Sequence, residues 1–220
     1  MTVLVVAPHP DDEILGCGGT LLRRKTEGAE LVWLIVTGMS ERCGWTPQQV
    51  QQRDAEISRI AEAVGFAQVF NLRLATAQLD ALPLGDLIAQ FSNVFKEVQP
   101  EEVFLPHRSD THSDHRTVFD AAAACTKWFR DPYVRRVLAY ETISETDFGL
   151  DASGAFRPNC FIDISDFLER KLELMAIYQS EMGSFPFPRS VEAIRAQAMV
   201  RGASSGFAAA EAFQLMRERQ

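Results

Sequence analysis

An α/β fold, with a Rossmann-like parallel-strand sheet and helices on both faces, is predicted by three features of this chain. Short runs rich in Val, Leu, Phe and Tyr recur through its first two thirds. The stretches between them carry apolar residues at helical spacing, and those stretches start and stop on capping and breaking residues. Strands are expected at Val3 to Ala7, Leu31 to Thr37, Val69 to Leu72, Val103 to Leu105 and Val137 to Tyr140. Runs this short and continuously apolar suit strands buried on both faces, and parallel strands need a crossover between them. Pro47 to Ala63 reads as an amphipathic helix, with Thr46 as its cap and Gly65 just past its end. The next helix, Leu84 to Val98, stops before Pro100. The last third differs: Asp147 to Pro158 is loop-like, Phe161 to Ile164 is a candidate late strand, and Phe167 to Tyr178 is a helix. A Pro-rich stretch, Phe185 to Pro188, then precedes more helix.

At 220 residues the chain suits one domain (1–220) with a Rossmann-like core over 1–145 and a helical and loop extension on the substrate side over 146–220. A balance of 22 basic against 30 acidic residues, net −8, argues against a phosphate-tracking nucleic-acid binder. The partner expected is a small molecule, with room left for a homo-oligomer. The opening Met1-Thr2-Val3-Leu4-Val5-Val6-Ala7 has no basic leader, and its apolar stretch is too short for a signal peptide and far too short for a membrane span, so a cytoplasmic location is expected. Cys17, Cys43, Cys125 and Cys160 are scattered, without paired spacing, and read as reduced thiols.

All four histidines fall in two segments, Pro8-His9-Pro10-Asp11-Asp12-Glu13 and Pro106-His107-Arg108-Ser109-Asp110-Thr111-His112-Ser113-Asp114-His115, each directly after an expected strand. An open α/β sheet gathers the carboxyl ends of its strands along one edge, and imidazoles with carboxylates are ligands for a borderline cation such as zinc, with ferrous iron or cobalt as alternatives. A divided metal site follows. His9 and Asp12 are spaced to reach one ion, while the neighbouring Asp11 points elsewhere and is free to take a proton from water. Glu13 reads as a cap or a supporting partner. One of His112 and His115 completes the ligand set, and the other is left to act as an acid or to polarise a carbonyl. Asp114, between them, is a candidate for fixing an imidazole tautomer, and Thr111 for capping the helix. His107 either lines the pocket or bonds within its loop.

Two other motifs fail on context. Gly16-Cys17-Gly18-Gly19 lacks the third glycine of a dinucleotide fingerprint, and small residues for close helix packing explain it better. Gly202-Ala203-Ser204-Ser205-Gly206 has the spacing of a nucleophile elbow but follows an expected helix and precedes no histidine.

The paired segments Pro8 to Glu13 and His112-Ser113-Asp114-His115-Arg116 resemble the signature of the LmbE-like (PIG-L) zinc-dependent N-deacetylases, which hydrolyse the acetamide of N-acetylated amino sugars and their conjugates. Arg53 and Glu56, and the late Arg201-Gly202 and Ala210-Glu211-Ala212-Phe213, extend the resemblance. It implies that His9, Asp12 and His115 bind zinc, that Asp11 is the general base, and that His112, oriented by Asp114, protonates the leaving amine or stabilises the oxyanion. Arg53, Arg108, Arg116 and Arg189 are candidates for substrate hydroxyl or phosphate groups, with His107 beside them. Trp33, Trp45 and Trp128 could stack on a sugar, although packing is the better-supported role for each. An amidase releasing a larger acyl group and a non-hydrolytic Rossmann-like nucleotide binder are the alternatives.

Overall fold

Val3, Val5 and Ala7 belong to one buried cluster and Leu4 and Val6 to another, and none of the five has any exposed surface. Alternation with burial on both sides is the mark of a central strand, and β1 (Thr2–Ala7) is central in the computed structural model, which describes residues 1–150 and 152–220. Among the described residues the sheet has seven strands in the order β3-β2-β1-β4-β5-β7-β6. They are β2 (Glu30–Gly38), β3 (Gln68–Ala75), β4 (Glu102–Pro106), β5 (Arg136–Tyr140), β6 (Cys160–Asp163) and β7 (Ala210–Glu218). The first five pair in parallel, each as the apolar runs predict. Helices α1 (Asp12–Thr26), α2 (Pro47–Val64), α5 (Leu168–Met175) and α6 (Val191–Ala203) pack on one face, and α3 (Leu84–Val98) and α4 (Ser113–Ala124) on the other.

α2 starts on the expected cap: Thr46 accepts from the Gln49 N–H, and the Gln49 side chain accepts the Thr46 N–H in return. It ends at Gly65, whose φ of 79° is left-handed. α4 is capped differently from expectation. His112, not Thr111, is its cap, with Nδ1 accepting the Asp114 N–H at 3.2 Å. α5 ends three residues short of the expected Tyr178, because the Ile177 and Tyr178 N–H groups tighten onto the Leu174 and Met175 carbonyls.

The larger departure is at the sheet's far edge. β7 inserts between β5 and β6 and runs antiparallel to both, so the sheet is mixed. No strand signal marks this segment in the sequence because Ala210–Glu218 is neither continuously apolar nor cleanly alternating, and its second residue is a buried glutamate. That glutamate has a structural task. α1 breaks at Cys17, whose φ of −147° and ψ of 19° are not helical. The restarted helix presents fresh N–H groups, and Glu211 of β7 accepts two of them, Gly19 at 2.9 Å and Thr20 at 2.7 Å. Lys171 of α5 lies 2.7 Å from Glu211 and also donates to the Leu15 carbonyl at 2.8 Å. Gly16 lets α1 approach β5, for a Cβ there would meet the Tyr140 ring at 2.2 Å.

Candidate metal centre

The strand order places β4 beside β1 although β2 and β3 lie on β1's other side, so the chain reverses its winding between β1 and β4. Two neighbouring strands whose following segments diverge to opposite faces leave a crevice at their carboxyl ends. His9, Asp11 and Asp12 leave β1 into this crevice, and Asp110, His112, Asp114 and His115 leave β4. The turn after β1 is strained: Asp11 takes a φ of 140°, in a region glycine favours. Glu13 holds it there, its Oε2 accepting the Asp11 N–H at 3.0 Å while its Oε1 accepts the Tyr178 hydroxyl at 2.8 Å. Burial, with the Asp11 charge beside it, pushes the Glu13 carboxyl up to about 8.

Ligand atoms of His9, Asp12 and His115 all lie within 4.8 Å of one another. Asp12 Oδ2 is 3.3 Å from His9 Nδ1 and 3.4 Å from His115 Nε2. Asp110 accepts from the far nitrogen of the His115 ring, Nδ1, at 2.8 Å, and is itself held by the Thr146 hydroxyl at 2.6 Å. His115 Nε2 is fully buried, points at the cluster and has no hydrogen-bond partner among the described residues. An imidazole fixed through one nitrogen by a carboxylate, with its other nitrogen orphaned beside a second imidazole and a carboxylate, fits a divalent cation. The charges agree. Burial opposes the imidazolium of His115, but Asp12 and Asp110 outweigh it and raise His115 to about 10. Likewise burial is outweighed at His9 by Asp114 and Asp12, which raise it to about 9. Burial disfavours the Asp12 carboxylate, yet His115 and His9 hold it well below the usual carboxylate range. The two imidazolium protons stand where a divalent cation would put its charge, and Asp12 is already in the carboxylate form that ligates one.

Asp11 faces the other way. Its Oδ2 accepts from Arg189 Nη1 at 3.0 Å, and burial followed by the Asp12 charge raises its carboxyl to about 7. His112 stands edge-on to His9, ring centres 4.4 Å apart, and burial followed by the neighbouring His9 lowers it. The Asp114 carboxylate accepts the Ala77 and Leu79 N–H groups at 2.7 and 3.3 Å and lies 3.1 Å from His9 Nε2, against 3.8 Å from His112 Nδ1. A second trio, His9, His112 and Asp114, is therefore also within ligating reach.

These residues lie in a cavity of about 280 Å³ whose lining includes Thr37, Trp45, Arg53, Ser144, Glu145, Glu181 and Arg189. Arg53 lines it but is committed to protein groups: Nη1 donates to the Pro10 carbonyl at 2.9 Å, Nη2 bonds Ser180 and Glu181, and Nε faces Glu56. Arg108 pairs with Asp120 on the surface and His107 bonds the Gly154 carbonyl, and neither is among the lining residues. Asp110, Glu145 and Glu181 escape the sequence reading because single acids in polar loops carry no periodic signal. The spacing from Asp110 to His115 was the one available clue.

The chain is similar to a diacetylchitobiose deacetylase of Thermococcus kodakarensis, 26% identical over 228 residues, which span 95% of this chain and 80% of the relative. Among solved structures it is similar to a conserved protein of Thermus thermophilus, with 28% identity, a TM-score of 0.79, and coverage of 99% of this chain and 95% of that one. It also overlies the N,N'-diacetylchitobiose deacetylase of Pyrococcus horikoshii, with a TM-score of 0.78 at 21% identity, covering 98% of this chain and 84% of that one. Residues 4–126, which carry both histidine segments, match the family described as PIG-L: GlcNAc-PI de-N-acetylase. The chain belongs to the PIG-L family.

Proposed function

We propose that this protein is a zinc-dependent N-deacetylase that hydrolyses the acetamide of an N-acetylated amino sugar or sugar conjugate to acetate and a free amine. The observation that carries the reading is the buried, orphaned His115 Nε2 beside Asp12 and His9, with the separately held Asp11 carboxylate in the same cavity. His9, Asp12 and His115 would hold the ion. When bound, zinc supplies a Lewis acid for the amide carbonyl and lowers the pKa of water.

Asp11 is the proton acceptor. Arg189 holds its Oδ2, which leaves Oδ1 to take the proton of the attacking water. Because His112 Nδ1 accepts the Asp114 N–H, its neutral ring carries the proton on Nε2, the atom that donates a hydrogen bond to the developing oxyanion, while the departing nitrogen takes the proton that Asp11 accepted from water. Asp110 orients His115, and Glu13 with Tyr178 keeps the Asp11 turn in its strained form. The four free cysteines suit a reducing compartment, and we assign the enzyme to the cytoplasm; among the described residues no helix is long and apolar enough to cross a membrane.

The test is acetate release from N-acetylglucosamine and N,N'-diacetylchitobiose by the zinc-reconstituted protein, with chelated protein alongside. Release that stops on chelation and returns with zinc is expected. Undiminished release by metal-free protein, or none from a metal-loaded one, overturns the assignment.

A further inference from the structure

The chain's three tryptophans have separate fates. Trp33 is fully buried and stacks on Phe66, with ring centres 5.3 Å apart. Trp128 is exposed against Phe129 and is not among the cavity residues. Trp45 is the one that lines the cavity, and it keeps 38% of its surface exposed while Asp12 and His115, which line the same cavity, are buried. Its place is fixed on both sides. Its own N–H reaches back to the Ser40 carbonyl at 3.4 Å, and the next residue, Thr46, is locked by the reciprocal cap that opens α2. A large aromatic held at the mouth of a polar cavity, wet on one side, is a surface for the carbon face of a sugar ring.

The charges around it narrow the ligand. The cavity is lined by four carboxylates, Asp11, Asp12, Glu145 and Glu181, against two guanidiniums, Arg53 and Arg189. Both guanidiniums already face protein carboxylates. Arg189 Nη1 lies 3.0 Å from Asp11 and 3.3 Å from Glu181, and Arg53 is paired with Glu181 and Glu56. With the four carboxylates ionised, as Asp11 must be to act as the base, a divalent cation would bring the lining to neutrality and leave no surplus positive charge for a phosphate or carboxylate, which would instead meet Glu145 and Glu181. The volume of about 280 Å³ lies near the lower end for small-molecule sites. It suits one amino-sugar ring held deep, with any further unit projecting outward.

We propose that Trp45 is the platform on which the substrate's pyranose ring stacks, and that the substrate is an uncharged N-acetylated saccharide and not a phosphorylated or nucleotide-linked one. This rests on the deacetylase reading above and adds to it the residue and the charge class that select the substrate.

The experiment pairs binding with turnover on the full-length, zinc-loaded protein. Tryptophan fluorescence is titrated with N-acetylglucosamine, N,N'-diacetylchitobiose and N-acetylglucosamine 6-phosphate in the native protein, Trp45→Phe and Trp45→Ala, and acetate release is measured for the same set. Native protein is expected to show a fluorescence change with the neutral sugars that is lost in both variants. Trp45→Ala raises KM for them about tenfold, with kcat within about threefold, and Trp45→Phe restores most of the KM. The 6-phosphate is at least about tenfold poorer in kcat/KM. An unchanged KM in a folded Trp45→Ala, or a phosphorylated sugar used as well as its neutral parent, overturns the proposal. Neutral-sugar binding that depends on Trp45 without any acetate release upholds the platform and refutes the deacetylase assignment instead.

Discussion

Replacing Glu211 by glutamine tests whether one buried carboxylate joins the last strand to the first helix. Glu211 and Lys171 are each 3% exposed and 2.7 Å apart. The carboxylate also accepts the Gly19 and Thr20 N–H groups at the break in α1. Glutamine retains one acceptor oxygen, so one of those two N–H groups would face an amide NH₂, at about 1–3 kcal/mol for the unsatisfied donor. With the amide oxygen in the Oε1 place the NH₂ meets the Thr20 N–H, and Lys171 keeps the Leu15 carbonyl and a neutral amide oxygen but loses its counter-charge, where breaking a buried pair from one side costs about 3–5 kcal/mol. The two costs overlap, and a net loss of about 4 kcal/mol is expected, a large part of the roughly 5–15 kcal/mol that stabilises a typical domain. Lys171→Met should cost about 3 kcal/mol, since the stranded carboxylate keeps its two N–H donors. The double variant buries no charge, so its loss should fall short of the summed single losses by about 2 kcal/mol or more. Urea unfolding followed by circular dichroism measures all three. A Glu211→Gln protein within about 1 kcal/mol of native, or strictly additive losses, refutes the reasoning.

Three further outcomes follow from the same geometry. Asp11→Asn should retain its zinc by elemental analysis and lose kcat by about 10²-fold or more at similar KM, whereas Asp12→Asn should lose the metal; an Asp11→Asn protein with near-native turnover would place the base elsewhere. Gly16→Ala drives a methyl into the buried Tyr140 ring, whose hydroxyl donates to the Val6 carbonyl at 2.9 Å, and should cost about 1–3 kcal/mol in urea unfolding; an unchanged midpoint would mean that α1 can shift away. Burial raises the Cys125 thiol to about 11 and that of Cys17 well above the usual range, so at pH 8 about one Cys125 thiol in 10³ is ionised. A thiol reagent on native protein should therefore label the exposed Cys43 quickly and spare Cys17 and Cys125 until unfolding. Equal labelling rates for all three would contradict that burial.

The parallel half of the sheet was legible because burial on both faces forces continuous apolar runs, and those runs also announce where strands end. That is why His9, Asp12, His112 and His115 could be placed at one edge from sequence alone. What could not be read depends on partners far along the chain. Arg189 meets Asp11 across 178 positions and Glu211 meets Gly19 across 192, and no local pattern encodes either meeting. β7 was missed for the same reason: its buried Glu211 is satisfied by another helix's N–H groups, so a position that looks unfit for a strand interior is suited to this one.

The insertion of β7 between β5 and β6 also sets an order of assembly. β5 ends at Tyr140, and the strand that covers its outer edge begins about 70 residues later, after β6, α5 and α6. At ribosomal rates of about 5–20 residues per second, that edge stays open for on the order of several seconds during synthesis. Throughout that interval the nascent chain presents the unpaired N–H and C=O groups of a mostly apolar strand, the situation in which neighbouring chains on a polysome can pair with one another. Yield in the cell should therefore respond to translation speed and to chaperone supply more than the finished protein's equilibrium stability would suggest, and a strand-capping peptide copied from Ala210–Glu218 should raise recovery when supplied during synthesis.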